Sequence, residues 1–390
     1  MSNSFHCEKC GGLFEVRYDL SRVEPNWAKG PLSVWRYREL LPIDDEKKII
    51  SMGEGGTGLH HCQRLGRKIG VKSLYVKNEG ENPTGSFKDR GMTVAVSKAV
   101  EQKKRHVVCA STGNTSASLA AYSAKAGLEC IVFVPKGKIA PGKMAQVIIY
   151  GAKIVEVNGD FDKALDTVMR LTSERDDLYL MNSVNPYRLE GQKTMAYETH
   201  DQLDGKTPDT FILPVGNGGN ISAAWKGFKE FKTLGLSRAT PRMVGIQASK
   251  AAPIVRAVKS KGTRVLPIAS PETIATAIRI GAPVNGPKVL GAIRESGGTA
   301  ETVTDAEILE AQSELAKTEG IFVEPASAAS IAGLEKMVEA GSLDRTDRIV
   351  CVTTGHGLKD PSIIEKLPAM SKQFYSLSNG RVGELVKRLF

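Results

Sequence analysis

The sequence has few of the features that mark membrane or secreted proteins. No window approaches the roughly 18 consecutive apolar residues that a membrane helix needs, and the N-terminal segment carries Glu8 and Lys9 where a leader peptide would be apolar. Only six cysteines occur in 390 residues, and Cys109, Cys130 and Cys351 lie in apolar runs. This pattern predicts buried free thiols in a reducing compartment. We therefore expect a cytoplasmic protein.

Metal-binding patterns are equally scarce. Cys7 and Cys10 have the spacing of a zinc-ligand pair, but a structural zinc ion takes four ligands, usually from two such pairs, and there is no second pair. We favour a turn that continues into Gly11 and Gly12. The sequence therefore predicts no metal site.

The charge balance is positive, since 53 lysines and arginines face 43 acidic residues, a net charge of +10. Such a balance favours acidic partners, which are either anionic metabolites or nucleic acids. The sequence contains no aromatic-interleaved RNA-binding motif and no helix-turn-helix pattern. We therefore predict a small anionic substrate, with neither nucleic acid nor membrane as a partner.

Short β-branched runs alternate with helical patterns from residue 73 onward, in a chain of ordinary globular composition with 41% hydrophobic and 25% charged residues. The predicted strands are residues 73–78, 106–110, 130–134, 153–157, 178–181, 209–215, 242–247 and 348–353. The predicted helices are residues 87–102, 116–126, 141–150, 161–175, 190–203, 221–234, 251–261, 305–317 and 326–339. This alternation predicts an α/β fold with parallel sheets and helices on both faces.

The domain organisation follows from where this alternation begins and ends. We predict an N-terminal arm over residues 1–50, which would wrap over a domain or a partner subunit, and a basic C-terminal tail over residues 374–390. Between them we predict two lobes of mostly parallel, twisted sheet, a large one formed by residues 51–88 and 186–373 and a small one formed by residues 89–185. In such sheets, ligands bind at the carboxyl ends of the strands, in the loops that lead into helices.

One loop of this kind carries a lysine in an unusual position. Pro83 and Gly85 predict a turn, and Ser86 with Asp89 predicts a capping box that begins the next helix. Lys88 then lies in the first helical turn, where the positive end of the helix dipole disfavours an ammonium. Its free amine would be available as a Schiff-base nucleophile or as a base, although most single lysines are simply solvated.

Three further loops follow strands and could bind anionic or aromatic groups. Residues 111–116 carry hydroxyls and an amide at a helix start, which suits a carboxylate or simple capping. Residues 216–220, Gly-Asn-Gly-Gly-Asn, could hold a phosphate on backbone N–H groups, and they match neither the dinucleotide fingerprint nor a P-loop. Thr354 offers an uncharged partner for an aromatic nitrogen, whereas His356 is more simply interpreted as structural. Together with Lys88, these are the parts that pyridoxal phosphate needs.

These motifs, in this order, resemble those of the threonine synthases, pyridoxal-phosphate enzymes of the tryptophan-synthase-β type, fold type II. The matching stretches are residues 53–57, 82–91, 111–116, 182–186, 188–193, 214–220, 324–328 and 354–360. The stretch Asn-Ser-Val-Asn-Pro-x-Arg-x-Glu-Gly-Gln-Lys from residue 182 points to this family within the larger fold group. Many relatives carry a longer cysteine-rich start, from which this sequence departs.

The resemblance implies pyridoxal 5′-phosphate as cofactor and O-phospho-L-homoserine and water as substrates, giving L-threonine and phosphate. Lys88 would carry the cofactor and move protons, Asn114 would bond its 3′ oxygen and Thr354 would face its pyridine nitrogen. The implied phosphate-binding loop of the cofactor site is Gly216, Asn217, Gly218, Gly219 and Asn220. The implied substrate-binding residues are Ser111, Thr112 and Thr115 for the carboxylate and Asn182, Ser183 and Arg188 for the phosphate.

Other functions remain open at this point. A cysteate synthase or another phosphoserine β-replacing enzyme would use the same cofactor residues and differ in pocket size. A dehydratase would have no use for an arginine directed at a substrate phosphate, and the retained Lys88 argues against a non-catalytic carrier. Relatives suggest a homodimer.

Overall fold

The computed structural model describes residues 5–25, 27, 30–137, 141–159 and 161–361, and of residues 141–143, 161 and 162 the backbone only. The strands in these ranges are β1 (Leu59–His61), β2 (Ser73–Asn78), β3 (His106–Ala110), β4 (Glu129–Pro135), β5 (Lys153–Val157), β6 (Leu178–Leu180), β7 (Thr210–Pro214), β8 (Arg242–Ala248), β9 (Thr299–Val303) and β10 (Arg348–Thr353). The α-helices are α1 (Gln63–Ile69), α2 (Lys88–Glu101), α3 (Asn114–Ala126), α4 (Pro141–Ile149), α5 (Phe161–Glu174), α6 (Pro186–Gln202), α7 (Gly219–Thr233), α8 (Pro253–Lys259), α9 (Gly286–Glu295), α10 (Asp305–Glu319) and α11 (Pro325–Glu339). Within the described ranges, no helix is both long enough and apolar enough to cross a bilayer.

The strands form two sheets, and both are built mainly from parallel pairs. The larger sheet has the order β1-β2-β10-β7-β8-β9, in which β1 is antiparallel to β2 and each of the other neighbouring pairs is parallel. The smaller sheet has the order β5-β4-β3-β6 and is parallel throughout. The predicted α/β class with mostly parallel sheets is confirmed.

The central strands of the larger sheet are covered on both faces. In β10, Ile349 and Cys351 belong to a core with α1, α10 and α11, whereas Val350 and Val352 belong to a core with α6, α7, α8 and α9. Because successive side chains of a strand point to opposite faces, this division places helices on each side of the sheet. The smaller sheet forms a third core with α2, α3, α4 and α5.

Each strand and helix predicted from the sequence is present, although some ends differ. The largest difference is at α6, which begins at Pro186 and not at residue 190, because Asn185 caps it and Pro186 occupies a position where a missing N–H costs nothing. The earlier start places Arg188 in the first helical turn. The sequence analysis missed β1, β9, α1 and α9.

The strands of the smaller sheet all fall between residues 106 and 180, and those of the larger sheet fall outside this interval. This distribution is compatible with the predicted lobes, whose exact boundaries stay a prediction. The predicted tail over residues 374–390 lies outside the described residues.

Part of the predicted N-terminal arm packs against α6 and α7. Tyr37 is fully buried with Tyr197 of α6 and Phe231 of α7. Its hydroxyl donates a 2.8 Å hydrogen bond to Asp201 on α6. Phe5 packs edge-on against Tyr179 in the core of the smaller sheet. Residues 1–50 therefore contact both cores of this chain, and their division into a separate arm stays a prediction.

Cys7 and Cys10 lie in a tight turn. The Cys7 carbonyl accepts from the Gly11 N–H, and the Cys7 N–H donates to the Gly12 carbonyl, both at 2.8 Å. Backbone N–H groups of the same turn lower the pKa of the Cys7 thiol. Among the residues that the structure describes, no group of three or more potential ligands could hold a metal ion.

Candidate active site

Lys88 is the first residue of α2, but the side-chain cap predicted for the start of this helix is absent. The capping residue is Phe87, which has no capping side chain, so the predicted capping box of Ser86 and Asp89 is wrong. The Asp89 carboxylate instead accepts from the backbone N–H and hydroxyl of Thr84, both at 2.6 Å, and from the Ser118 hydroxyl at 2.5 Å. Asp89 therefore ties the lysine loop to α3, a contact that sequence spacing could not indicate.

The Lys88 amine is prepared for chemistry at neutral pH. Burial, together with the nearby positive charge of Arg188, lowers its pKa to about 7, and the Glu324 carboxylate opposes this shift. The nitrogen lies 3.7 Å from the centre of the Phe87 ring. An amine with this pKa is substantially unprotonated near pH 7 and can act as a nucleophile or as a base.

The Thr354 loop is hydrogen-bonded directly to the Lys88 loop. The Phe87 N–H donates to the Thr354 carbonyl at 3.0 Å, and the His356 N–H donates to the Gly85 carbonyl at 2.9 Å. The Thr354 side chain is buried, and its hydroxyl lies 3.0 Å from the Ser327 hydroxyl at the start of α11. Two of the four loops selected from the sequence thus form one wall.

His356 has a structural role in this wall. Its Nδ1 accepts a hydrogen bond from the Leu358 N–H at 3.1 Å, and its ring packs edge-on against Phe322. These contacts support the structural interpretation of His356 given above.

Asn114 joins the third loop to the same region. It is the first residue of α3, and its Nδ2 donates to the two carboxylate oxygens of Glu324 at 3.0 and 3.1 Å. Glu324 immediately precedes α11 and is 5% exposed. The sequence analysis quoted Glu324 within a matching stretch but assigned it no role, because nothing local indicates that its partner lies 210 residues away.

The glycine loop leads into α7 and leaves its first N–H groups available. Gly218 has a φ of 82° and a Cβ there would lie 2.3 Å from a Val289 methyl, so this position requires glycine. A Cβ on Gly219 would meet nothing nearer than 3.7 Å. The first N–H groups of a helix have no intrahelical acceptor, and together with the helix dipole they form a site for an anion such as phosphate.

Polar groups without partners surround this loop. Both amide atoms of Asn220, the Oε1 of Gln192 and the Oδ1 of Asn285 are buried without a hydrogen-bond partner among the described residues. The amides of Gln192 and Asn285 each have an atom 3.7 Å from the position where a Gly219 Cβ would be. Since buried polar groups rarely remain unsatisfied, this set fits a bound polar ligand, and the loop suits the phosphate of pyridoxal phosphate. Sequence reasoning missed Gln192 and Asn285.

Arg188 is a buried guanidinium with few partners. Its Nη1 donates to the Met181 carbonyl at 3.1 Å, its Nε is unsatisfied, and no carboxylate in the described part of the chain contributes to its pKa. Burial lowers its pKa to about 10, which still leaves it charged at neutral pH. A buried cation of this kind has an unmet need for an anion.

A close helix crossing brings Arg188 and Lys88 together. A Cβ on Gly191 of α6 would lie 1.7 Å from the Arg90 carbonyl of α2, and one on Gly91 would lie 2.7 Å from the Arg188 carbonyl. Glycines at both positions therefore let the two helix backbones approach. The charge of Arg188 consequently acts on Lys88.

The other predicted substrate residues differ in whether their side chains are already hydrogen-bonded within the protein. Ser111, Thr112 and Thr115 are half-buried, and a Cβ on Gly113 between them would meet nothing within 4 Å, so this loop borders open space. The Asn182 amide is used in two 2.9 Å hydrogen bonds with the backbone of Ala110 at the end of β3. Ser183 is half-buried, and its carbonyl accepts from Asn285.

Comparison with known proteins gives a consistent result. The family described as pyridoxal-phosphate dependent enzymes matches residues 50–355. Threonine synthase of Methanocaldococcus jannaschii is 59% identical over 362 residues, which are 92% of this chain and 89% of that protein. Threonine synthase of Methanosarcina acetivorans is 56% identical over 363 residues, with the same coverage.

A solved structure extends the comparison to the fold. The structure of maize serine racemase superposes with a TM-score of 0.69 at 21% identity, over 80% of this chain and 91% of that one. This likeness concerns the fold, whereas the sequence matches identify the group within it. The chain belongs to the pyridoxal-phosphate-dependent enzymes and, among them, to the threonine synthases.

Proposed function

We propose that this enzyme converts O-phospho-L-homoserine and water into L-threonine and inorganic phosphate. The observation that carries the proposal is the pairing of Lys88, whose pKa is lowered to about 7, with a buried Arg188 that lacks a carboxylate partner. A substrate that must lose protons from carbon and also carries a phosphate needs one group of each kind. Both relatives named above are threonine synthases.

Pyridoxal phosphate supplies an electron-withdrawing ring that stabilises negative charge on the carbon atoms of a bound amino acid. Lys88 would hold it covalently through the amine, and the Thr354 hydroxyl would face the ring nitrogen without imposing a charge. Asn114 would donate to the 3′ oxygen. The residues that would bind its phosphate are Gly216, Asn217, Gly218, Gly219 and Asn220.

Lys88 is also the group that moves protons. At its lowered pKa, the released amine would take a proton from the α carbon of the substrate and deliver it to another carbon atom. This step would leave the amine free to take a proton from the β carbon, and it would return that proton to carbon later in the reaction. Arg188 holds the substrate phosphate before it leaves the γ carbon, since a guanidinium matches two phosphate oxygens. The positive charge of Arg188 adds to the effect of burial and favours the neutral form of the Lys88 amine.

The remaining substrate residues divide into two groups. Ser111, Thr112 and Thr115 border the open space beside Gly113 and would bind the substrate carboxylate with hydroxyl and N–H donors. Ser183 would contribute its hydroxyl to the substrate phosphate. Asn182, whose amide is bonded to Ala110, would support the same subsite by fixing the loop that carries Ser183.

The substrate is tested by incubating the holoenzyme with O-phospho-L-homoserine and measuring released phosphate and threonine together. We expect equal amounts of both products. A parallel incubation with O-phosphoserine and sulfite tests the cysteate synthase alternative, and turnover there alone would overturn the proposal. Mass spectrometry after borohydride reduction should find the cofactor attached to Lys88.

The role of Arg188 is tested by Arg188→Leu. We expect the KM for phosphohomoserine to rise about tenfold to a hundredfold, because one or two charge-assisted hydrogen bonds to the phosphate are lost. The measurement uses cofactor-saturated protein, in which the bound cofactor should remain stoichiometric. Arg170→Leu, at an exposed site on α5, is the control and should leave the KM unchanged. An unchanged KM in Arg188→Leu would show that the phosphate is bound elsewhere.

We also infer that the enzyme works in the cytoplasm as a homodimer, without nucleic acid or membrane partners. Buried cysteines without disulfides and the absence of a membrane-spanning helix among the described residues support the first point. Sedimentation of the holoenzyme at micromolar concentration tests the second, and a monomer mass would contradict it.

A further inference from the structure

Glu324 is the one carboxylate that the described structure brings against a predicted cofactor-contacting side chain. Its two oxygens accept from the Asn114 Nδ2 at 3.0 and 3.1 Å. The two residues come from the starts of α11 and α3, which belong to helices of different sheets. The contact therefore joins the helices of the larger sheet to those of the smaller sheet.

The surroundings fix the Glu324 carboxylate from several sides. A Cβ on Gly355 would lie 2.6 Å from its Oε1, so a side chain at position 355 would collide with the carboxylate. The backbone N–H of Glu324 donates to the Gly355 carbonyl at 3.0 Å. Lys88 and Lys359 face it as positive charges and Asp360 as a negative one. Burial raises its pKa, against the lowering effects of Asn114 and the two lysines.

An asparagine side chain has two ends of nearly the same shape, one a donor and the other an acceptor. A carboxylate accepts hydrogen bonds, so Glu324 holds the Nδ2 end of Asn114 and excludes the flipped orientation. One N–H of the Nδ2 group, shared between the two Glu324 oxygens, would leave the other N–H for a second acceptor. The negatively charged 3′ oxygen of the cofactor needs a donor, and a flipped amide would present an oxygen to it.

We infer that Glu324 is a positioning residue that fixes the donor end of Asn114 for the 3′ oxygen of the cofactor. This inference rests on the proposed role of Asn114. Glu324 acts through Asn114 and contributes no proton to the reaction. Replacing it with glutamine removes the selection, because a glutamine amide pairs with either end of Asn114.

The experiment compares Glu324→Gln, Asn114→Ala, the double variant and a control, Ser330→Ala. Ser330 lies on α11 and bonds to the Ser327 carbonyl without touching Asn114. For each protein, the visible absorption maximum of the bound cofactor and its dissociation constant, from fluorescence titration of the apo form, are measured. Neither quantity requires turnover.

Glu324→Gln should shift the absorption maximum and raise the dissociation constant about fivefold to tenfold, as expected for a weakened hydrogen bond to a charged oxygen. The double variant should be no worse than Asn114→Ala alone, because one residue acts through the other. Ser330→Ala should match the wild type in both measurements.

Unchanged values in Glu324→Gln, or additive losses in the double variant, would overturn the inference. If Glu324→Gln does not fold by circular dichroism, Glu324→Asp withdraws the carboxylate by one methylene and carries the same expectation. Borohydride reduction of each variant distinguishes a failure of the positioning role of Glu324 from a failure of the proposed function. A cofactor adduct at Lys88 with a normal spectrum in Glu324→Gln contradicts the positioning role alone, whereas an adduct on another residue overturns the proposed function and this inference with it.

Discussion

At the scale of single residues, the site depends on two buried basic side chains, Lys88 and Arg188, that influence each other's charge. Arg188 remains charged because its pKa falls only to about 10, and it contributes to lowering the pKa of Lys88 to about 7. Burying Arg188 without a carboxylate is unfavourable. The same positive charge, however, favours a neutral Lys88 and the binding of a phosphate. Perturbed groups of this kind are typical of active sites.

The lowered pKa predicts how the apo-protein takes up its cofactor. Below the pKa the Lys88 amine is protonated and cannot attack the aldehyde, so the rate of uptake should rise as the pH increases and reach a plateau above about 8. The midpoint should lie near 7 and not near the ordinary 10.5 of a lysine. Stopped-flow absorbance across pH 5.5 to about 10 measures it.

Arg188→Met provides the comparison for this titration. Without the neighbouring positive charge, the midpoint of cofactor uptake should move upward, because one of the two causes of the lowered pKa is gone. The same midpoint in both proteins would mean that burial alone sets the pKa of Lys88.

Residue roles differ in how visible they are in the sequence. Lys88, Asn114, Thr354 and the glycine loop each follow a strand, so the general rule for α/β sheets selects them. Glu324 and Gln192 have no such signature. Gln192 lies in the middle of α6, and its importance becomes visible only when its Oε1 is found buried without a partner beside Gly219.

At the scale of elements, the crossing of α2 and α6 joins the lysine to the arginine. Gly91 and Gly191 face the backbone of the opposite helix, at distances that exclude a methyl group on Gly191. Glycine in a helix interior costs about 1 kcal/mol relative to alanine. The two glycines are nevertheless needed here, because they allow α2 and α6 to approach closely.

Gly191→Ala should therefore destabilise the protein by about 1–3 kcal/mol, as overpacking of a close contact does, although alanine favours helices. Urea unfolding of the apo-protein measures the change. Gly291→Ala on α9 is the matched control, since its Cβ would meet nothing nearer than 3.7 Å, and it should be neutral or slightly stabilising. Equal stability of the two variants would show that α2 and α6 can separate without cost.

The elements missed from the sequence share a weak pattern. β1 has three residues and is mostly exposed, and β9 reads Thr-Ala-Glu-Thr-Val, which lacks the apolar run of the other strands. α9 contains Gly286, Pro287 and Gly291, which resemble a loop. Contacts with neighbouring elements stabilise these segments. β1 pairs with β2, β9 pairs with β8, and α9 packs into the same core as α7.

At the scale of the whole molecule, a cluster of four buried charges lies where the loop with Gly56 and Thr57, the larger sheet and the crossing helices α2 and α6 meet. Lys77 of β2, Glu79, Arg90 of α2 and Glu198 of α6 are each fully buried. Arg90 bonds to both glutamates, and Lys77 lies 2.9 Å from Glu198. Glu198 also accepts from the Gly56 N–H. The cluster thus joins β2, α2 and α6, and α2 and α6 carry Lys88 and Arg188.

The cluster predicts a specific loss of stability in acid. Burial alone would raise the pKa of Glu198, but Arg90 and Lys77 outweigh it and lower the pKa from 4.5 to about 2. A carboxylate with a lowered folded-state pKa stabilises the fold above its unfolded-state pKa, and this contribution is lost as the pH falls from 4.5 to 2. The loss amounts to about 3 kcal/mol.

Free energies of unfolding, measured with urea at several pH values between 6 and about 2, test this prediction on the wild type, Glu198→Gln and Glu129→Gln. Glu198→Gln should be about 3–5 kcal/mol less stable at neutral pH, because Arg90 and Lys77 lose a buried partner, and its stability should fall less steeply below pH 4.5. Glu129 pairs with Lys153 and His106 near the surface, where ion pairs are worth little, so Glu129→Gln should follow the wild type much more closely than Glu198→Gln does. If Glu198→Gln lost stability in acid as steeply as the wild type, other carboxylates would control acid unfolding, and protonation of Glu198 would not be the cause of the loss.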